Sequence, residues 1–293
     1  MTNLGPYLRE VCLRRDQVPD FRRYPFALPA VVHLECLAFP QPVTFLIGEN
    51  GSGKSTLLEA IAVALGFNAE GGSRNISFGT RESHSDLHEY LRPVRNVTRP
   101  RDGFFLRAES YYNVATEIEN LDRVPGPADA PPLAPAYGPR ALHEQSHGES
   151  FLALLQHRFR GDGLYLLDEP EAALSPMRQM ALLPRLHDLV EARSQFIVAT
   201  HSPILLAYPG ATIYELGPSG PRSVRYEDTE HFRVTRDFLN RYPMMVRTLL
   251  SREGRQFRER VCSQVAARKL NPLDGELAVS IDLHPRDRPR RDA

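Results

Sequence analysis

The chain has 293 residues, 42% of them apolar, enough for one large or two small domains with a full core. Its 36 lysines and arginines balance 36 aspartates and glutamates, which excludes a protein held on nucleic acid by bulk charge and leaves only a local patch for that role. Cys12, Cys36 and Cys262 are far apart and form no C-x-x-C pair, so reduced thiols in a cytoplasmic protein are expected, with neither a zinc site nor a disulfide framework.

Residues 1–30 are polar and punctuated by proline, with aromatics at Phe21, Tyr24 and Phe26, and are expected to form an edge element leading into a sheet. Arg9, Glu10, Arg14, Arg15 and Asp16 break up any leader-like apolar run. No stretch reaches the ~18 apolar residues of a membrane span, so direct membrane insertion is not expected. Val31 to Leu37 reads as a strand, and Pro40 and Pro42 as a turn. Val43-Thr44-Phe45-Leu46-Ile47 is β-type and runs into Gly48-Glu49-Asn50-Gly51-Ser52-Gly53-Lys54-Ser55-Thr56. A helix-type run, Leu57 to Leu65, follows. This strand, loop and helix are the context that the G-x-x-x-x-G-K-[ST] phosphate loop requires.

Farther on, residues 84–91 look helical. His84 and His88 lie four apart, but with no third ligand evident they read as solvated or capping side chains. Arg92, Arg95, Arg99 and Arg101 have no acid among them. They form either a solvated face or a contact to a nucleic-acid backbone. Residues 103–109 read as a strand and 110–121 as a helix. Residues 124–139 carry six prolines at 125, 127, 131, 132, 135 and 139 and read as an exposed loop. Gln145-Ser146-His147-Gly148-Glu149-Ser150 is a turn opening onto the apolar helix start Phe151 to Leu155, which presents free N–H groups to an anion. Leu164 to Leu167 is a buried parallel-type strand ending in Asp168 and Glu169. A helix over 176–192, a strand from Phe196 ending near His201, a short helix at 204–208 and a hairpin over 212–226 follow. Residues 230–268 look helical with a break at Pro243, and the stretch from about His284 is Arg/Asp/Pro-rich and expected to be disordered.

These residue types assemble one chemistry. The loop N–H groups and the start of the following helix form an anion site. Lys54 adds a charge for the β- and γ-phosphates, and Ser55 is placed to ligate Mg²⁺. Asp168, at the end of its strand, is a second Mg²⁺ ligand, and Glu169 a general base for an attacking water. His201 closes a neighbouring strand and is a candidate contact for the γ-phosphate.

The order of P-loop, Ser-x-Gly-Glu turn, Asp-Glu strand and strand-end histidine resembles the ATP-binding-cassette ATPases, over about residues 25–226. The wording Gly-Glu-Asn-Gly-Ser-Gly-Lys-Ser-Thr, Ser-His-Gly-Glu and Ala-Thr-His-Ser-Pro is similar to the stand-alone bacterial "AAA family ATPase" group allied to SMC-, RecF- and OLD-type ATPases. The resemblance implies an α/β P-loop fold. Its sheet core is mostly parallel and flanked by helices, with an N-terminal antiparallel β element and a helical subdomain. The ATPase domain would span 1–226, with its helical insert at about 80–150. A helical extension would span 227–283, and a tail 284–293.

It implies further that Ser146 and Gly148 contact the γ-phosphate of ATP held by the other copy of a homodimer, that Glu171 to Ser175 run along the dimer interface, and that His201 is the switch histidine. This sequence departs from the family in having Ser-His-Gly-Glu for the usual Leu-Ser-Gly-Gly-Gln. It also lacks a glutamine between the P-loop and residue 144. Glu109 is the candidate substitute, with a plain surface glutamate the alternative, and Tyr24 and Phe26 are candidates for stacking adenine.

The function so implied is ATP binding and hydrolysis by an ATP-sandwiched homodimer coupled to an unidentified partner protein, in DNA-related or defence processes. The alternative is the ATP-binding subunit of a membrane transporter, which the missing glutamine and the altered signature disfavour. A small-molecule kinase or a non-hydrolysing switch would not need the signature turn. Too few residues separate the P-loop from that turn for long SMC-type arms, and no nuclease metal cluster is legible after residue 210.

Overall fold

The computed structural model describes residues 6–73, 85–107 and 147–251. The main sheet has seven strands: β3 (Val43–Ile47), β4 (Gly72–Ser73), β6 (Asp102–Arg107), β7 (Gly163–Asp168), β8 (Gln195–Ala199), β9 (Thr212–Gly217) and β10 (Gly220–Val224). Their spatial order is β10-β9-β3-β8-β7-β6-β4. The five inner strands are mutually parallel, and β10 and β4 pair antiparallel at the two edges.

Every residue of β3, β7 and β8 is buried. That is why these strands read as unbroken apolar runs: a parallel sheet is covered on both faces. The period of two still sorts their side chains. Phe45, Tyr165, Leu167, Phe196 and Val198 enter one core, with Leu182, Leu186 and Leu189 of α4 (Pro176–Glu191). Leu46, Leu166, Ile197 and Ala199 enter the other, with Leu57, Leu58 and Ile61 of α2 (Lys54–Ala64). A short α3 (His147–Ala153) leads into a π-helical turn (Leu154–Arg158) on the α4 side.

A second, antiparallel sheet of three strands lies on the α2 side, in the order β2-β1-β5, from β1 (Leu8–Leu13), β2 (Cys36–Ala38) and β5 (Leu91–Arg95). The antiparallel N-terminal element is therefore present, but β1 is its central strand and not an edge. Arg9 and Glu10 interrupt its apolar pattern, yet Leu8, Val11 and Leu13 are buried. Gln195 at the start of β8 ties the two sheets together. Its side-chain amide accepts from Leu8 N–H and donates to Leu8 C=O, both at 2.9 Å.

Two sequence expectations need correction. Val31 to Leu37 is not one strand: Pro29–Val32 form the short helix α1, and only Cys36 onward joins β2. Pro29 sits at the first helical position, where its fixed φ suits a helix, and burial of Ala30, Val31 and Leu34 outweighs the β preference of valine. Cys12 and Cys36 are not separate thiols. They are direct partners across β1 and β2 and form a disulfide, with Cα atoms 4.0 Å apart. A sequence separation of 24 hides a pairing that only strand register creates. Cys262 lies outside the described residues.

The stretch expected as a helical insert is described at 85–107 and from 147. Residues 85–107 supply a 3-10 turn (Asp86–Tyr90), β5 and β6. The readings for His84, Glu109, 110–139, Ser146 and 252–293 lie outside the described residues. The 230–268 helix is described as α5 (Glu230–Leu250), which carries Pro243 and a non-helical Arg241. Among the described residues, no helix is long and apolar enough to cross a membrane.

Candidate functional site

The loop 48–53 leaves the C-terminal end of β3 and delivers Lys54 as the first residue of α2. Two glycines are sterically required. Gly48 has φ +151°, and a Cβ there would lie 2.5 Å from Leu216 C=O and 2.9 Å from Ser52 Oγ. Gly53 has φ +95°, and a Cβ would press on Leu28 and Ala30 at 3.1–3.2 Å. The α1 segment thus buttresses the loop from behind, and Ala30 N–H donates to Ser52 C=O at 2.9 Å. Glu49, Asn50 and Gly51 form the exposed rim, while Ser55 and Thr56 are half-buried in the first turn of α2.

Lys54 is 4% exposed, and its ammonium donates to Gly48 C=O at 2.9 Å and Glu49 C=O at 3.1 Å. Desolvation lowers its pKa below the ordinary lysine value. The carboxylates of Glu169, Asp168, Glu49 and Glu171 oppose that shift, in that order.

β8 lies between β3 and β7, so the loop and the acidic strand end are not adjacent strands. Register aligns them nonetheless. Arg107, Asp168, Ala199, Leu46 and Tyr214 form one transverse row across five parallel strands. Everything following that row lies at the C-terminal edge of the sheet, where ligands of open α/β sheets bind.

Asp168 is 7% exposed at the end of β7. Arg107 ends β6 beside it, with its Nε 3.9 Å from Asp168 Oδ2 and its Nη1 bonded to Glu59 of α2. Glu169 follows with φ 49° and ψ 51°, a left-handed conformation, and its N–H donates to Ala199 C=O at 2.9 Å. Its carboxylate is partly exposed and lies 4.0 Å from His201 Nε2.

His201 is held by residues that sequence reasoning did not assign to it. Glu171 turns inward, accepting from Thr200 Oγ1 at 2.7 Å and from the backbone N–H of His201. Burial raises the Glu171 pKa, and those two bonds oppose the shift. Thr200 Oγ1 accepts from Ser202 N–H, and Ser202 Oγ donates to Gln179 Oε1 of α4. The His201 ring contacts His231, the second residue of α5, at 3.0 Å between Nδ1 and Nε2. Desolvation, then the Lys54 cation, then His231 push the His201 pKa down to about 4.

The structure therefore gathers Lys54, Asp168, Glu169 and His201 at one edge. It adds Glu59, Arg107 and His231, for which spacing gave no signal, and Glu171, which the family resemblance assigned to the dimer interface and which here accepts from Thr200 and His201. Gly148 lies in α3, which packs against α4 and the turn Pro170–Ala173 that follows Glu169. Glu149 lies 3.5 Å from Arg178 of α4. Phe26 is in the core, edge-on to Tyr90, and cannot stack adenine. Tyr24 is 68% exposed. Arg95 and Arg99 line a cavity of about 230 Å³ beside Leu164, at the start of β7 and so at the opposite end of the sheet.

The site fits a nucleoside triphosphate with Mg²⁺. The glycine cradle is space that a Cβ would fill, and the buried Ser52 Oγ and His201 Nε2 have no partner among the described residues. Two family models match the chain, one described as "AAA domain" over residues 21–112, the other as "AAA domain, putative AbiEii toxin, Type IV TA system" over residues 135–207. Over those two stretches the chain is similar to P-loop ATPases of the AAA-domain families.

ATP-hydrolase activity and the binding of ATP with Mg²⁺ go with those matches. Similar solved structures include the SMC head domain from Thermotoga maritima, 14% identical, covering 75% of this chain and 98% of that one at TM-score 0.39. They include an ATP-binding cassette of an ABC transporter, 17% identical, covering 80% and 96% at TM-score 0.43. UvrA2 from Deinococcus radiodurans is 24% identical, covering 29% and 12% at TM-score 0.23. No curated protein matches the sequence. The first family match spans the loop, α2 and β6 of this ATPase. The second spans α3, the acidic strand end and His201.

Proposed function

We propose that this ATPase hydrolyses ATP between two copies of itself and couples turnover to a partner protein in the cytoplasm, in DNA-related or defence processes. The observation that carries the reading is the transverse row of strand ends, which brings Lys54, Asp168, Glu169 and His201 to one edge from three separate segments.

In this reading the loop residues Gly48 to Thr56 wrap the phosphates, and Lys54 leaves the carbonyls of Gly48 and Glu49 for the β- and γ-phosphates. Ser55 and Asp168 would hold Mg²⁺, which would supply charge neutralisation for the phosphates. Arg107, tied to Glu59, fixes the Asp168 carboxylate. Glu169 orients and deprotonates the attacking water, and His201 Nε2 donates to the γ-phosphate. Ser146 and Gly148 of the second copy close the site. Gly148 lies in the first turn of α3, whose packing against the 170–173 turn supports placing it near this edge. Domain limits of 1–226 for the ATPase unit, with a helical extension after it, belong to the same proposal.

Glu169→Gln keeps the size and the fold but removes the base. We expect ATP affinity within about two-fold of wild type, kcat lowered by about 10²–10³-fold, and an ATP-dependent dimer that accumulates on size exclusion. Wild-type turnover in that variant would show that Glu169 is not the base.

A further inference from the structure

His231 lies in α5, outside both family matches, yet its ring meets the switch histidine. His231 Nε2 is 3.0 Å from His201 Nδ1, with the ring centroids 5.2 Å apart. Of two nitrogens in such a contact, one carries the hydrogen and the other accepts it. The remaining nitrogen of each ring, His201 Nε2 and His231 Nδ1, is buried without a partner among the described residues. His201 Nε2 is the one that faces Glu169, at 4.0 Å.

A phosphate oxygen only accepts. A neutral His201 can serve it only with the hydrogen on Nε2, which leaves Nδ1 as an acceptor. Desolvation is the largest cause lowering the pKa of both rings, and the Lys54 cation adds to it, so both stay neutral near pH 7. The donor in the pair is then His231.

We propose that His231 is a positioning residue: its Nε2–H donates to His201 Nδ1 and holds His201 in the Nε2–H tautomer, aimed at the terminal phosphate. The inference rests on the reading of loop 48–56 as an ATP-hydrolysing site. The fold anchors His231 well enough for this task. Thr229 caps α5, accepting from Phe232 N–H at 3.2 Å and donating to Tyr226 C=O at 2.7 Å. Tyr226 OH in turn donates to Pro203 C=O at 2.8 Å, and its ring packs on Phe232 with centroids 4.7 Å apart. The start of α5 and the turn before it thus hold the 201–203 loop at two points, through His231 and through Tyr226.

The first test reads the wild-type protein directly. Long-range ¹H–¹⁵N correlation spectra of histidine-labelled full-length protein, assigned with His201→Gln and His231→Gln, report which ring nitrogen carries hydrogen. We expect hydrogen on Nε2 of both residues. Hydrogen on His201 Nδ1 overturns the proposal.

Steady-state ATPase assays then compare His231→Gln, whose amide nitrogen can stand where Nε2 stood, with His231→Leu, which cannot donate. We expect His231→Leu to lower kcat at least about ten-fold with KM for ATP within about two-fold, and His231→Gln to stay within about three-fold of wild type. Equal losses in the two variants, or no loss in His231→Leu, overturn the positioning role. The tautomer spectrum requires neither ATP nor turnover. A failure of the ATPase reading, seen as wild-type protein that hydrolyses nothing, is therefore separable from a failure of this one.

Discussion

Glu169 holds a left-handed backbone, φ 49°, immediately before Pro170, although a residue preceding proline is normally extended. Such a conformation costs about 1–3 kcal/mol and persists only where its surroundings impose it. Here the imposing contacts are its N–H bond to Ala199 and the inward turn of Glu171 two residues later. The strain aims one carboxylate at the phosphate edge and the other at the histidine loop. The strand ending in two acids was legible in sequence because a buried apolar run cannot continue through charges. The division of labour between Glu169 and Glu171 was not, because it depends on a turn that points them apart.

His201 gives a pH signature at the same scale. Its folded pKa, about 4, lies below the ordinary histidine value, so between about 6.5 and 4 the unfolded chain binds the extra proton. Stability is complete above about pH 6.5 and falls as pH drops toward 4. Thermal melts should show a steeper loss of Tm between pH 6.5 and 5 in wild type than in His201→Gln, which has nothing to protonate there. Parallel slopes would contradict a neutral buried imidazole.

At the scale of elements, the phosphate loop is shaped from both sides. Leu28 and Ala30 at the start of α1 crowd Gly53, and Leu216 of β9 crowds Gly48. Beyond α1 the chain passes at once into β2, which the Cys12–Cys36 disulfide fastens to β1. Such bonds persist in oxidising surroundings and are reduced in most cytosols. With a sequence separation of 24 between the cysteines, loop entropy predicts a stabilisation of about 3 kcal/mol when the bond is formed. Denaturant melts with and without reductant should differ by that order, and Cys36→Ser should abolish the difference. If reductant leaves the midpoint unchanged in wild type, the bond does not contribute in solution. The β1–β2 pairing was invisible in sequence because charged residues mask the period of β1 and a proline-started helix occupies the expected strand.

The whole molecule is organised by the sheet order, in which β8 separates the loop strand from the acidic strand. That spacing leaves an open edge above β8, lined on one side by Lys54 and on the other by Asp168 and Glu169. The proposed closure from a second copy has a testable symmetry. Lys54→Ala disables a site through its loop, and Gly148→Asp through the start of α3 that it lends to its partner. Each variant alone should be inactive. An equimolar mixture should recover about a quarter of wild-type activity, since half the dimers are mixed and each mixed dimer has one intact site. No recovery on mixing would mean that the start of α3 acts within its own copy.

The amino-acid order by itself determined the chemistry of each local motif and the parallel α/β class. These follow from short-range facts: glycines where a backbone must bend, unbroken apolar runs where both sheet faces are covered, acids where a strand ends. Tertiary structure alone decided which motifs share a site and what holds them. Arg107 reaches Glu59, Glu171 reaches Thr200, Cys12 reaches Cys36, and His231 reaches His201 across 30 residues. The physical reason is register. Which side chains meet at a sheet edge depends on how strands far apart in sequence align, and on where a helix start is pinned against them, and no local periodicity encodes either.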